Sequence, residues 1–315
     1  MRRELPVLAM LLGAAALPAQ KTDSLPERIR NCHLPAEQRD ALVRSLAARD
    51  YGHMEDILVL RTAAADTPAD AAELRALAGA VEFLYGKMDR AAAAFGQSDA
   101  AAPLGDADRF TWAMALVNLG DEKAAREQLT RLSGSHPDGP LYLYWLARID
   151  YDQRLYAEAV AKLKRVVGLD PAWARAYDSL GLALDMLGQP EEARATFQKA
   201  ADLNRKLAAP SSWPPHNLGA LLLRLQLLNE AEDALREALR YDPKFAMAHY
   251  HLGRALEAEG RDGEAMEEYR AAISHDPVVV EAFYSLGLLY RRHERGAEAE
   301  AAFAEYKKRK AGGVQ

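Results

Sequence analysis

Histidine and cysteine are the side chains with the most chemistry to offer here, and their spacing withholds it. His249 and His251 are two residues apart. On a helix such a pair points to different sides, whereas a shared metal needs ligands on one face, as at i and i+4. Cys32 is the only cysteine in 315 residues, so no internal disulfide is available and stability must come from packing. Asn31-Cys32-His33 lacks the second cysteine of a haem-attachment motif. No nucleophile elbow, metalloprotease pair, phosphate loop or dinucleotide glycine motif is present. The expectation is a non-enzymatic protein with no metal and no cofactor.

The chemistry that remains is recognition. Tyr, Trp and Arg, which combine apolar area with a polar handle, gather between residues 141 and 292. What positions them is a repeat. Alanines stand at 91, 125, 159, 193, 231, 265 and 299, at intervals of 34 residues with a single interval of 38. Four residues after each comes a large apolar side chain: Phe95, Leu129, Leu163, Phe197, Leu235, Tyr269 and Phe303. Twelve residues before each comes a small one: Gly79, Ala113, Ala147, Gly181, Gly219, Gly253 and Gly287. Pro137, Pro171, Pro243 and Pro277 close units in the same phase.

These residues resemble the tetratricopeptide repeat (TPR) pattern of an aromatic, Leu-Gly, Tyr, Ala-x3-Phe and a closing Pro; the fullest copy is Phe283, Leu286-Gly287, Tyr290, Ala299 and Phe303. The units run 72–105, 106–139, 140–173, 174–207, 212–245, 246–279 and 280–313, with Arg75 and Arg109 in the two earliest where an aromatic is expected. Residues 38–71 read as an eighth, divergent helical pair, with Gly52 at the turn phase. The fold expected is all-α, a right-handed superhelical solenoid of about seven to eight helix-turn-helix repeats. A mid-helix glycine costs about 1 kcal/mol against alanine, so its recurrence at position 8 implies close approach of the two helices of a pair. Gly86, Gly120, Gly188 and Gly260 supply the positive φ that ends the first helix. Four residues are inserted between units 174–207 and 212–245, in the stretch 207–215 that carries Pro210, Pro214 and Pro215; both a tolerated loop and a lip on the binding surface fit it.

In such an array positions 2, 5, 6, 9, 12 and 13 of the first helix share the concave face. The binding residues this assigns are Leu141, Tyr144, Trp145, Arg148, Tyr151, Trp213, His216, Asn217, Tyr250, His251, Arg254, Tyr284 and Arg291. His216 and His251 fall in adjacent units, and each is expected to be solvated or packed on an aromatic. The family's carboxylate clamp for chaperone tails, Lys and Asn at positions 5 and 9 before an Asn at position 6, is absent: Asp178 and Leu182 precede Asn217, and Met247 and His251 follow where Lys and Arg belong.

At the start, Arg2 and Arg3 precede the apolar run Val7–Leu17, then Pro18-Ala19-Gln20. This fits a cleavable leader over 1–19, cut after Ala19, followed by a linker over 20–37; eleven apolar residues fall short of the roughly 20 that span a bilayer. The expected location is therefore exported, periplasmic or extracellular. A net charge of −6 argues against a nucleic-acid binder. The function expected is a scaffold holding an extended peptide or helix of a partner protein in the groove. Two alternatives remain open: a structural subunit of an envelope assembly bound through its convex face or ends, and a carrier of a glycan or other small ligand.

Overall fold

The computed structural model describes residues 24–312, in which seventeen helices and no strand are found. The expected leader lies outside the described residues. The chain divides into two compact units, 1–142 and 143–315.

The first unit contains α1 (Leu25–Asn31), α2 (Ala36–Ala48), α3 (Tyr51–Ala63), α4 (Pro68–Tyr85), α5 (Met88–Ala101), α6 (Asp106–Leu119) and α7 (Glu122–Ser135). The stretch 20–37, expected as a linker, instead holds α1. Ser24 and Glu27 form a capping box at its start, and Ile29 and Cys32 continue the i, i+4, i+7 apolar spacing begun by Leu25. Ile29, Cys32 and Leu34 are buried in one cluster with Leu42, Leu74, Leu77 and Val81, so α1 is part of the core. In α2 and α3, the divergent pair, the turn falls at Arg49 (φ 57°) and α3 starts at Tyr51. Gly52 is thus inside the helix and not at the turn. Arg109 stands where an aromatic was expected, and its buried guanidinium fills that space by bonding Asp99 and Gln128, each at 2.7 Å.

The second unit holds most of α8 (Pro140–Asp152), then α9 (Tyr156–Leu169), α10 (Ala174–Met186), α11 (Pro190–Asn204), α12 (Trp213–Arg224), α13 (Leu228–Tyr241), α14 (Ala246–Ala258), α15 (Asp262–His275), α16 (Val280–Arg292) and α17 (Gly296–Gly312). Each expected repeat is one antiparallel pair, a helix A followed by a helix B.

The small residue at position 8 has a measurable cause. A Cβ on Gly181 would lie 2.6 Å from the Phe197 ring; on Gly219, 2.6 Å from Leu235; on Gly253, 2.7 Å from Tyr269; on Gly287, 2.7 Å from Phe303. The large residue at position 24 thus sits in the space the missing side chain vacates. Positive φ recurs at one phase: Gly86, Gly120 and Gly188, then Gly260, with Arg154, Gln226 and Glu294 standing in at the same position of other units. The four-residue insertion is tied back on itself. Asn204, buried at the end of α11, donates to the Ser211 carbonyl at 2.8 Å and accepts from its N–H at 2.9 Å.

The interlock makes a prediction of opposite sign at two helical glycines. Gly181→Ala should destabilise by about 1–3 kcal/mol, because the Phe197 ring has to be displaced. Gly168→Ala, where nothing lies within 4 Å, should stabilise by about 0.5–1 kcal/mol. Thermal unfolding of both variants would show whether the two move in opposite directions.

Candidate functional site

In the second unit the A helices α8, α10, α12, α14 and α16 lie side by side, and their polar side chains meet in two rows, one present at all four seams and one at two of them. The first row joins position 5 of one A helix to position 6 of the next. The Tyr144 and Ser179 hydroxyls are 3.3 Å apart. Asn217 donates through Nδ2 to both carboxylate oxygens of Asp178, at 3.0 and 3.1 Å. His216 Nε2 lies 3.0 Å from His251 Nδ1. Tyr250 meets the Ser285 hydroxyl. The second row joins position 12 to position 13. Arg224 pairs with Asp185, and Arg292 donates to Glu257 at 3.1 Å.

Both kinds of contact occur across the insertion, where Asp178–Asn217 and Asp185–Arg224 span 39 residues while the others span 35. The lengthened loop therefore preserves the stacking and delivers Trp213 to the edge of the face. There the indole packs on Phe245 with centroids 4.8 Å apart, and 38% of the residue stays exposed.

Burial gives the first row unusual electrostatics. Desolvation pushes the Asp178 carboxyl up to about 6, against the hydrogen bond from Asn217 and the charges of Arg148 and Arg175. Desolvation, His216 and Arg254 together push His251 down to about 3. Burial also works against the Arg148 charge, but Tyr144, Asp152 and Asp178 more than offset it, so the guanidinium is held above its ordinary value. His216 and His251 do approach, with rings stacked 5.0 Å apart, and the pair is packed by Phe245 and Tyr250. They reach each other as a hydrogen-bonded rung.

The thirteen residues expected on the binding face thus separate. Tyr144 and His216 are buried, and with Asn217, Tyr250 and His251 they are occupied by neighbouring helices. Leu141, Trp145, Arg148 and Tyr151 are half-buried along α8. Trp213, Arg254, Tyr284 and Arg291 are exposed. The partners Asp178, Ser179 and Ser285 were not among the thirteen. Their signal was available as complementary polar types 35 residues apart, or 39 across the insertion.

The tetratricopeptide repeat pattern matches residues 110–173, 147–208, 216–277 and 264–314, well over half of the chain. The chain belongs to the tetratricopeptide repeat family. The TPR fold is that of non-enzymatic scaffolds that commonly mediate protein–protein interactions. The chain is similar to PilW, described as a widely conserved type IV pilus biogenesis factor: 20% identity, 64% of this chain and 92% of that one, TM-score 0.58. It is also similar to a chain of the APC/C hetero-tetramer Cut9–Hcn1, at 18% identity over 78% of this chain and 48% of that one, TM-score 0.60. At these identities the likeness is one of fold. No curated protein matches the sequence closely enough to count as a relative.

The two buried rungs titrate with opposite effect. The Asp178 carboxyl has its folded value raised, so its stabilisation is present below the ordinary carboxylate range and lost as pH climbs to about 6. His251 has its folded value depressed, so its stabilisation is present above pH 6.5 and lost as pH falls toward 3. Between pH 4 and 6 the two slopes oppose each other in the unmodified protein. Asp178→Asn should therefore unmask a stability that rises with pH, and His251→Asn one that falls. Melting temperatures across that range would test both signs.

Proposed function

We propose that this TPR protein is a scaffold that holds an extended peptide or helix of a partner protein on the A-helix face of residues 143–312. The observation that carries this is the division of labour along that face. The two rows bind A helix to A helix, and outside them stands a set of exposed interface-type side chains. Among the described residues Arg175 and Arg254 are exposed and make no ion pair, and Trp213 shows its edge at the insertion. Leu182 and Leu288, at position 9 of α10 and α16, are half-buried between the rows. An aromatic lip, exposed guanidinium groups and a shallow apolar floor suit a peptide with both apolar and polar side chains.

A second feature supports the reading from inside the molecule. In the first unit, the short amphipathic α1 packs beside Leu74 and Leu77 of α4, while Arg28 donates to both oxygens of Asp108 on α6 at 2.7 Å. A helix and an arginine fork on A-helix residues are the kind of contact proposed for the partner. The basic start and apolar run of 1–19 further lead us to place the mature protein outside the cytoplasm, beginning at Gln20; N-terminal sequencing of the purified native protein tests that placement.

Substituting Tyr144 or Tyr250 would test stability as much as binding, because both belong to the first row. The cleaner variant is Arg175→Ala with Trp213→Ala and Arg254→Ala. The two arginine changes are at exposed sites and should each cost within about 0.5 kcal/mol. Trp213→Ala also gives up packing on Phe245 and His216, so Trp213→Phe, which keeps an aromatic ring there, is measured beside it and the melting temperature of each variant is recorded. The triple variant should lose more than about tenfold in affinity for the partner recovered by pull-down with the unmodified chain. Undiminished capture by the triple variant would refute the proposal.

A further inference from the structure

The first unit brings together three side chains that neither the helix interlock nor the rows use. His33 follows α1, while Asp70 and Glu73 stand three residues apart at the start of α4. The His33 Nδ1 atom lies 2.9 Å from a Glu73 oxygen and 3.3 Å from an Asp70 oxygen. One donor atom from each of the three residues lies within 4.8 Å of the other two. The positions are fixed from behind. Cys32 and Leu34, on either side of His33, are buried in the core that α1 shares with α4. The Thr67 hydroxyl, at the N-cap of α4, donates to the second Asp70 oxygen at 2.7 Å and leaves the first turned to the imidazole. The His33 N–H donates to Glu73 at 3.3 Å. The imidazole itself faces outward, with 73% of the side chain exposed.

We propose that His33, Asp70 and Glu73 form a binding site for a divalent transition-metal ion of the zinc class. Ligand atoms about 2.0–2.2 Å from a zinc ion, at tetrahedral angles, stand roughly 3.3–3.5 Å from one another. Two of the three pairs already stand at 2.9 and 3.3 Å, so small side-chain rotations admit the ion. The two carboxylates balance its charge. One imidazole nitrogen with two carboxylate oxygens suits zinc and its neighbours, whereas calcium takes about six to eight oxygens. Cys32 is not a fourth ligand, because its thiol turns inward and donates to the Ile29 carbonyl at 3.1 Å. The remaining position belongs to water on the open side of His33. The ion takes the place of the proton that Nδ1 shares with the carboxylates, and the ring keeps its other proton on Nε2. It joins the residues after α1 to the start of α4, reinforcing the cluster that Ile29 shares with Leu74 and Leu77. Sequence spacing hides the site, since His33 and Glu73 are 40 residues apart.

The test uses the full chain, stripped with a chelator and titrated with zinc chloride by calorimetry at pH 8, where protons compete least for Nδ1. Zinc should bind and raise the melting temperature. His33→Ala should remove one equivalent, and Glu73→Gln should weaken that equivalent about tenfold or more. Both changes are at outward-facing side chains, and circular dichroism should show the helices intact. His293→Ala, at an exposed histidine of the second unit, should leave the equivalent in place. Excess calcium chloride should not displace it. Absent binding, binding undiminished by His33→Ala, or displacement by calcium overturns the proposal. The site is independent of the A-helix face: the Arg175, Trp213 and Arg254 variant should bind zinc as the unmodified chain does, and His33→Ala should capture the partner undiminished.

Discussion

The close approach of the two helices in each pair is the constraint on which the rest depends. A residue without a side chain at position 8 lets the ring or branched side chain at position 24 occupy the same space, at 2.6–2.7 Å from where a Cβ would be in the glycine-bearing units of 143–312. That contact fixes how far helix A sits from helix B and at what rotation. With every pair built alike, successive A helices present the same face, and position 5 of one falls beside position 6 of the next. Ala91, Ala125, Ala159, Ala193, Ala231 and Ala265, at 0% exposure, show that position 20 is sealed by the same geometry. Close packing of this kind tolerates little change in volume.

Once the A helices are aligned, their polar residues have a choice between solvent, one another and a partner. Buried side chains such as Asp178 and His216 resolve it by bonding across the seam, because an unmet polar group in that position would cost about 1–3 kcal/mol. The rows hold the A-helix face in one arrangement, and they separate the side chains consumed by the array from the exposed ones to which our proposal assigns recognition. Proteins at 18–20% identity share the fold, so the fold by itself does not assign a partner.

The repeat was legible in the sequence because its cause is local and strict. Small residues at position 8, Ala at 20 and a large residue at 24 recur in phase, and the left-handed glycines mark the turns. Arg154, Gln226 and Glu294 hide three of those turns, since nothing in an arginine, glutamine or glutamate announces positive φ. The site was legible only in outline. Helical spacing finds which side chains share a face, but not which of them an adjacent helix has already engaged, a question settled 35 residues away. Tyr144 and His216 were assigned to the partner for this reason, and both are rungs. The helix at Leu25–Asn31 is only seven residues long, too short for helical periodicity to stand out, although Ser24 and Glu27 mark its start.

The account stands most directly on where a partner touches the second unit. A photo-crosslinking residue introduced in the native cell at Trp213 or Arg254, and separately at Lys199 on the exposed side of α11, would map this. The account predicts the same discrete adduct from positions 213 and 254 and none from 199. An adduct formed from 199 alone would place recognition on the B helices and contradict it.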